Sequence, residues 1–308
     1  MRPGLLLLPI LFIASLAMPA SADYPMQAEQ VAPDVYAIIT PTRELPNPQN
    51  RGWNSNSAFV VTGDGVLLFD SGSSVDIGRA IRNTIAGVTD QPVRYVILEN
   101  GQGHAALGSN YWKEQGVPVI AHADAAAEIE EGAHALLTSM QRYNRDKAEG
   151  TEVVLPDITF EEEYVIELGG MRIEALYLGP GHSPGDIQVW LPQQKLVISG
   201  DMAFHQRLLP IFSNTDTKAW LETYERFLAL EPEVVVPGHG GPVPLEKAKK
   251  DSYDYLVTLR ERTAAFMDEG GDISEIASID QSDFAYLDNY DTLKGRNAQK
   301  VYSELEFE

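Results

Sequence analysis

A histidine lies in a glycine-rich stretch directly after an apolar run in the segment Gly179-Pro180-Gly181-His182-Ser183-Pro184-Gly185-Asp186. Two comparable segments follow, Ser199-Gly200-Asp201 and Pro237-Gly238-His239-Gly240, and each of them also ends an apolar run. Short apolar runs bounded by glycine and proline are typical of buried β-strands. The pattern therefore predicts that the histidine or aspartate of each segment lies on a loop at the end of a strand.

A fourth stretch, Glu99-Asn100-Gly101-Gln102-Gly103-His104-Ala105, follows the short apolar run at residues 93–98. It brings a carboxylate, Glu99, and a further histidine, His104, to the end of another predicted strand. Histidine and carboxylate side chains bind divalent ions such as zinc, iron and manganese, whereas neutral amides are poor zinc ligands. Four strand ends consequently supply candidate metal ligands.

Hairpins and helices alternate along the chain, and this order occurs twice. A first strand is predicted at residues 35–39, and an Asp-Gly turn at residues 64–65 joins the next two strands. Apolar residues at helical spacing predict helices at residues 75–85, 124–145, 217–230 and 245–267. This order predicts an α/β fold with two mixed sheets packed face to face and helices outside. We expect one domain over residues 23–308, with a helical extension at residues 245–308.

Residues 1–22 have the three parts of a secretory signal. Arg2 supplies the positive start, Leu5 to Met18 the apolar core, and Ala20-Ser21-Ala22 the small residues of a cleavage site. The apolar core is shorter than the roughly 20 residues that a membrane-spanning helix needs. We therefore expect a secreted or periplasmic protein that has no membrane span after the signal is cleaved.

The composition excludes several classes of function. The chain has no cysteine, so thiolate ligands and a cysteine nucleophile are excluded. Its 45 acidic residues outnumber the 23 basic ones and give a formal net charge of −22, which repels nucleic acids and anionic lipid headgroups. A small-molecule substrate or ligand is the expected partner, and the sequence leaves the oligomeric state open.

With these segments in this order, the chain resembles the metallo-β-lactamase superfamily. The resemblance runs from residue 35 to residue 243 and includes the following segments: Asn56-Ser57-Ala58-Phe59-Val60-Val61, Asp70-Ser71-Gly72, Leu107-Gly108, Gly181-His182-Ser183-Pro184-Gly185-Asp186, Ser199-Gly200-Asp201 and Gly238-His239-Gly240. It implies a four-layer αββα sandwich and hydrolysis at a metal site.

Members of this superfamily hold two metal ions, partly through a His-x-His-x-Asp-His motif that is altered here. An ungapped comparison puts Asn100 and Gln102 at the first two histidines of the motif, and His104 at its aspartate. A shift by one residue puts His104 at the last histidine instead. In either register the resemblance implies that a complete two-metal site cannot form.

The resemblance implies that one divalent ion is held by His104, His182, Asp201 and His239, with zinc expected and iron or manganese as alternatives. Water activated there would hydrolyse an ester, thioester, lactone or amide-like bond, and Glu99 or Asp201 would accept its proton. Two alternatives stay open. The loops could be kept for hydrogen bonding in a protein without metal, and the chain could be a non-catalytic binding or accessory protein that retains the fold and the pocket.

Overall fold

Two mixed β-sheets lie face to face in the computed structural model, which describes residues 24–308. The predicted signal segment, residues 1–22, lies outside the described residues. The first sheet contains, in spatial order, β1 (Glu29–Ala32), β2 (Val35–Ile38), β3 (Ser57–Thr62), β4 (Gly65–Phe69), β5 (Val93–Ile97), β6 (Val119–His122) and β7 (Ile158–Phe160). The second contains, in chain order, β8 (Glu163–Leu168), β9 (Met171–Leu176), β10 (Gln188–Leu191), β11 (Leu196–Phe204) and β12 (Val234–His239).

Each sheet joins antiparallel hairpins to parallel strands. In the first sheet, β1 to β4 are antiparallel neighbours and β4 to β7 are parallel neighbours. In the second sheet, β8 to β11 are antiparallel and β12 runs parallel to β11. The parallel strands end at the same edge, and β5, β11 and β12 deliver Glu99, Asp201 and His239 there.

Helices cover the outer face of each sheet. The helices that precede the second sheet in the chain are α1 (Val75–Ala86), α2 (Gly103–Ala106), α3 (Ser109–Glu114) and α4 (Ala123–Asn144). Those that follow β11 are α5 (Thr217–Leu228), α6 (Leu245–Asp251), α7 (Tyr253–Asp268) and α8 (Tyr290–Leu305). Among the described residues, no helix is both long enough and apolar enough to cross a membrane.

The apolar core is divided into three layers by the two sheets. Between the sheets, Phe69 and Ile97 of the first pack in one cluster with Ile198 and Val236 of the second. The outer clusters join each sheet to its helices, and Trp220 is fully buried in one of them. Burial of this apolar surface drives the association of the layers, and the arrangement confirms the predicted αββα sandwich.

Some elements differ from their predicted boundaries. Strand β1 precedes the strand expected to be first, and the helix expected at residues 245–267 is broken at Ser252. The Ser252 hydroxyl accepts a hydrogen bond from Phe204 N at 2.7 Å and donates one to Phe204 O at 3.0 Å. The break therefore fastens the helical layer to the end of β11.

Asp251, just before this break, is buried and accepts hydrogen bonds from His205 Nδ1 at 2.7 Å and Tyr286 Oη at 2.5 Å. Burial alone raises the pKa of Asp251, but these hydrogen bonds outweigh it and hold the pKa below its usual value. A carboxyl group with a lowered folded-state pKa adds stability above its unfolded-state pKa and loses it as the pH falls through the folded value.

We expect Asp251→Asn to lower the free energy of unfolding at pH 7 by about 2–3 kcal/mol, because charge-assisted hydrogen bonds are lost. The difference from wild type should shrink below roughly pH 4, where the unfolded-state carboxyl becomes protonated. Urea unfolding at several pH values measures this. Asp254→Asn is the control, because its more exposed ion pair with Lys249 contributes less than about 1 kcal/mol. A constant deficit from pH 7 to pH 3 would contradict the explanation.

Candidate metal centre

The four residues predicted to bind metal come from four separate elements. His104 lies in α2, His182 in the loop between β9 and β10, and His239 is the last residue of β12. Asp201 was expected on a loop, but it lies inside β11, where the pairing with β12 is irregular between Gly200 and Phe204. This irregular pairing lets β11 continue past the site while it carries the Asp201 carboxylate.

Asp201 is at the centre of the cluster. Its Oδ2 lies 3.6 Å from His104 Nε2 and 3.6 Å from His182 Nδ1, and its Oδ1 lies 3.4 Å from His239 Nε2. Asp201, His182 and His239 are almost completely buried, whereas His104 is partly exposed. The structure thus brings the four residues together, and their role as metal ligands stays a prediction.

Glu99 lies in contact with the same cluster. Its Oε1 is 2.6 Å from His104 Nε2, and its Oε2 accepts a hydrogen bond from Asp201 N at 2.6 Å. The backbone N–H of Glu99 donates to Asp70 Oδ1 at 2.9 Å, which holds the strand end in place. Gly200 has φ +52°, and a Cβ atom there would overlap the Glu99 carboxylate. Glycine is therefore required at the point where Glu99 approaches β11.

Arg207 is a site residue that the sequence did not reveal. It is buried, and its Nη1 donates to His239 Nδ1 at 3.2 Å. A guanidinium group is always a donor, so His239 Nδ1 must accept, and the proton of the neutral ring is on Nε2. That proton faces Asp201 Oδ1. In this arrangement, His239 presents a donor rather than a lone pair to the centre of the cluster.

The two amides at the altered motif also have partners. Gln102 Nε2 lies 2.9 Å from His182 Nδ1, and Asn100 Nδ2 donates to Asp186 Oδ1 at 3.0 Å. Asp186 in turn accepts hydrogen bonds from Ser183 N and Ser183 Oγ, at 3.0 and 2.7 Å. These residues form a largely buried polar network beside His182.

Burial without a cation strongly perturbs the ionisation of the cluster. Burial, and next the charge of Asp186, raise the pKa of Glu99 to about 8. Burial, and next the charge of Glu99, raise the pKa of Asp70 and Asp201 well above their usual range. Burial lowers the pKa of His182 to about 3. A bound cation would favour the charged carboxylates and the neutral histidines.

One divalent ion fits this donor set. Ligand atoms of Glu99, His104 and Asp201 all lie within 4.8 Å of one another. Asp201 Oδ2 lies 3.6 Å from His104 Nε2 and faces this set, whereas Oδ1 faces the Nε2 proton of His239. Two carboxylates and one imidazole are a donor set that suits a divalent ion. The compact set therefore contains Glu99, which was predicted as an acid/base or a replacement ligand, and omits two of the predicted histidine ligands, His182 and His239.

The profile of the metallo-beta-lactamase superfamily matches residues 50–239, which is more than half of the chain. The chain belongs to this superfamily. The matched residues include the complete cluster, from Glu99 to His239.

Similar proteins of this superfamily have different activities. A type 2 metallo-beta-lactamase from Bacteroides fragilis is 24% identical over 261 residues, which cover 82% of this chain and 94% of that protein. The solved metallo-beta-lactamase from Pontibacter korlensis has a TM-score of 0.62 at 20% identity and covers 76% of this chain and 99% of its own. A sec-alkylsulfatase from Pseudomonas sp. has a TM-score of 0.70 at 18% identity and covers 92% of this chain but only 51% of its own. At these identities the structural likeness shows the fold alone.

Gly200 offers a test of how the superfamily site is assembled here. We expect Gly200→Ala to displace the Glu99 carboxylate and to lower the free energy of unfolding by about 3 kcal/mol or more. The cost of overpacking and the cost of a positive φ at a residue with a side chain both contribute to this loss. Urea unfolding measures the loss. Gly241→Ala is the control, because a Cβ there meets no atom within 4 Å. Equal stability of the two variants would show that Glu99 does not approach β11 as described.

Arg207 sets the tautomer of His239, and this can be observed in the metal-free protein. In ¹⁵N spectra of the imidazole rings, we expect His239 to be protonated at Nε2 in the wild type. Arg207→Met should permit protonation at Nδ1, because the obligatory donor is lost. Arg226→Met is the control, since that guanidinium donates to Leu178 O away from the histidines. Protonation of wild-type His239 at Nδ1 would refute the assignment.

Proposed function

We propose that this chain is an exported hydrolase that uses one divalent metal ion at an altered superfamily site. The observation that carries the proposal is the convergence of Glu99, His104 and Asp201 within 4.8 Å, in a buried cluster that contains two further histidines. The signal-like pattern at residues 1–22 supports export to the periplasm or the exterior.

The donor set favours a broader choice of metal than three histidines would. One imidazole and two carboxylates suit manganese and iron as well as zinc. His182 and His239, predicted as ligands from the sequence, are already engaged by Gln102 and Arg207. We therefore assign them as neighbours that surround Asp201 and orient it.

The site residues divide the chemistry between them. A divalent ion would lower the pKa of a bound water and polarise the bond to be broken. Glu99 Oε2 is fixed by the Asp201 amide at 2.6 Å, which leaves Oε1, 2.6 Å from His104 Nε2, as the Glu99 oxygen that would face the ion. The aromatic rings around His182, which are Phe204, Phe212 and Trp220, have centroids 5.0 to 5.7 Å from the imidazole and exclude water from that side.

The proposed reaction is hydrolysis of an ester, thioester, lactone or amide-like bond in a small molecule. The similar proteins include a metallo-beta-lactamase and an alkylsulfatase, so the fold permits more than one reaction. An acidic chain of net charge −22 disfavours nucleic acids as substrates.

A non-catalytic binding protein is the second candidate, and one observation favours it. Gln102 and Asn100 bind His182 and Asp186, so part of the buried polar network is satisfied without a metal. Metal binding distinguishes the two candidates.

We expect the mature protein, prepared without chelator or metal-binding tag, to contain about one equivalent of divalent metal. Glu99→Gln, His104→Ala and Asp201→Asn should abolish stoichiometric binding, because each removes a ligand. His182→Gln and His239→Gln should lower the affinity by about 10- to 100-fold, the usual effect of residues that orient ligands. Elemental analysis and metal titration measure both effects.

His134→Ala is the matched control, because this histidine is exposed on α4. Circular dichroism confirms that each variant is folded. No metal in the wild type after incubation with zinc, iron and manganese would refute the proposal and favour the binding protein. Complete loss of metal in the His182 and His239 variants would instead restore the four-ligand set predicted from the sequence.

A further inference from the structure

A cavity of about 280 Å³ lies between the loop that precedes β3 and helix α4. Pro46 and Gly52 belong to the loop side, and the helix contributes residues from Ala135 to Asn144. His104 lies in its wall, whereas the other four members of the cluster, Glu99, His182, Asp201 and His239, do not. A small molecule in this cavity would therefore meet the cluster at His104.

The wall of the cavity is mainly apolar and carries no fixed charge. Leu107, Leu136 and Met140 line it, and among the described residues no lysine, arginine, aspartate or glutamate does. A charged group placed along the wall away from His104 would lose its hydration without gaining an ion-pair partner, which is costly. The acidic net charge of the chain adds long-range repulsion of anions. The cavity therefore suits a neutral, partly apolar molecule.

Two polar side chains in the wall have no partner. Asn144 is 1% exposed and Ser73 is 5% exposed, yet neither amide atom of Asn144 nor the Ser73 hydroxyl has a hydrogen-bond partner among the described residues. Buried polar groups are nearly always paired in folded proteins. Gly52 has φ +79°, and a Cβ atom there would overlap the Asn144 amide, so the loop is shaped to accommodate this side chain. The unpaired groups indicate that a ligand supplies their hydrogen bonds.

We propose that this cavity binds the substrate, and that the substrate is a small neutral molecule with a short apolar chain and a hydrogen-bonding group such as an amide or an ester. The apolar chain packs along Leu136 and Met140, and the polar group pairs with Asn144 and Ser73. That the occupant is a substrate rests on the proposed function. The neutral character rests only on the cavity, and it separates this chain from enzymes that act on anionic alkyl sulfates.

Binding of four probes with the same chain length tests the inference without requiring catalysis. We expect isothermal titration calorimetry of the mature protein, first freed of metal with a chelator that is then removed, to show binding of hexanamide. Hexanoate, hexyl sulfate and hexylammonium should bind at least roughly tenfold more weakly, because each would bury an unpaired charge. Equal or tighter binding of any charged probe, or no binding of hexanamide, overturns the inference.

Substitutions in the wall locate the binding. Asn144→Leu should weaken hexanamide binding by about tenfold, because its hydrogen bonds are lost. The free energy of unfolding measured in urea should stay the same or increase, because a buried amide without a partner is removed. A purely structural asparagine would give the opposite pattern, with a destabilised protein and unaltered binding.

Ser139→Trp adds a ring at the cavity wall and should also weaken hexanamide binding, by at least roughly fivefold. Thr138→Trp is its matched control, because Thr138 is the exposed neighbour on α4 and does not line the cavity. Equal effects of the two substitutions overturn the location. If hexanamide binds as expected but the protein holds no metal and cleaves no ester, the proposed function fails, while the binding of a neutral ligand in this cavity stands.

Discussion

The hydrogen bond from the Asp201 amide to Glu99 Oε2 joins the two sheets at the point where the site is built. Asp201 belongs to β11 of the second sheet, and Glu99 follows β5 of the first. This 2.6 Å contact fixes one oxygen of Glu99, so that the other faces His104, and it sets the position of the carboxylate that the three histidines surround. It is possible only because Gly200 has no side chain. The same buried contact therefore serves both the sandwich and the cluster.

The layers of the fold could be predicted from local patterns. Helical spacing, the Asp-Gly turn and the glycine-bounded apolar runs identify the hairpins and helices, and their order predicts two covered sheets. The edge strands β1 and β7 could not be predicted, because such short strands are defined by their neighbours. The break at Ser252 depends on Phe204, 48 residues earlier in the chain, and no local pattern reveals that contact.

The residues of the site that lie at or near strand ends could be predicted from the sequence, whereas those that join it through side-chain contacts could not. His104, His182, Asp201 and His239 converge because β5, β9, β11 and β12 bring them to one edge of the sandwich, either within the strand or in the segment that follows it. Arg207 has no distinguishing sequence context, and its contact with His239 exists only because β11 pairs with β12. The position of Asn144 in the cavity wall could not be predicted either, because it packs against Gly52, in a loop more than 80 residues earlier in the sequence. Tautomers and unpaired amides are properties of the assembled site.

Asn100 and Gln102 are held by buried contacts that limit which residues can replace them. Each amide now has a buried neighbour, Asp186 in one case and His182 in the other. A histidine introduced at position 100 would withdraw the donor from a buried carboxylate, and a histidine at position 102 would remove the present partner of another ring. Each change leaves a buried group without its present hydrogen-bond partner, which is costly. Each amide and its buried partner therefore constrain one another, so a change at either position lowers the stability of the protein unless the partner changes with it.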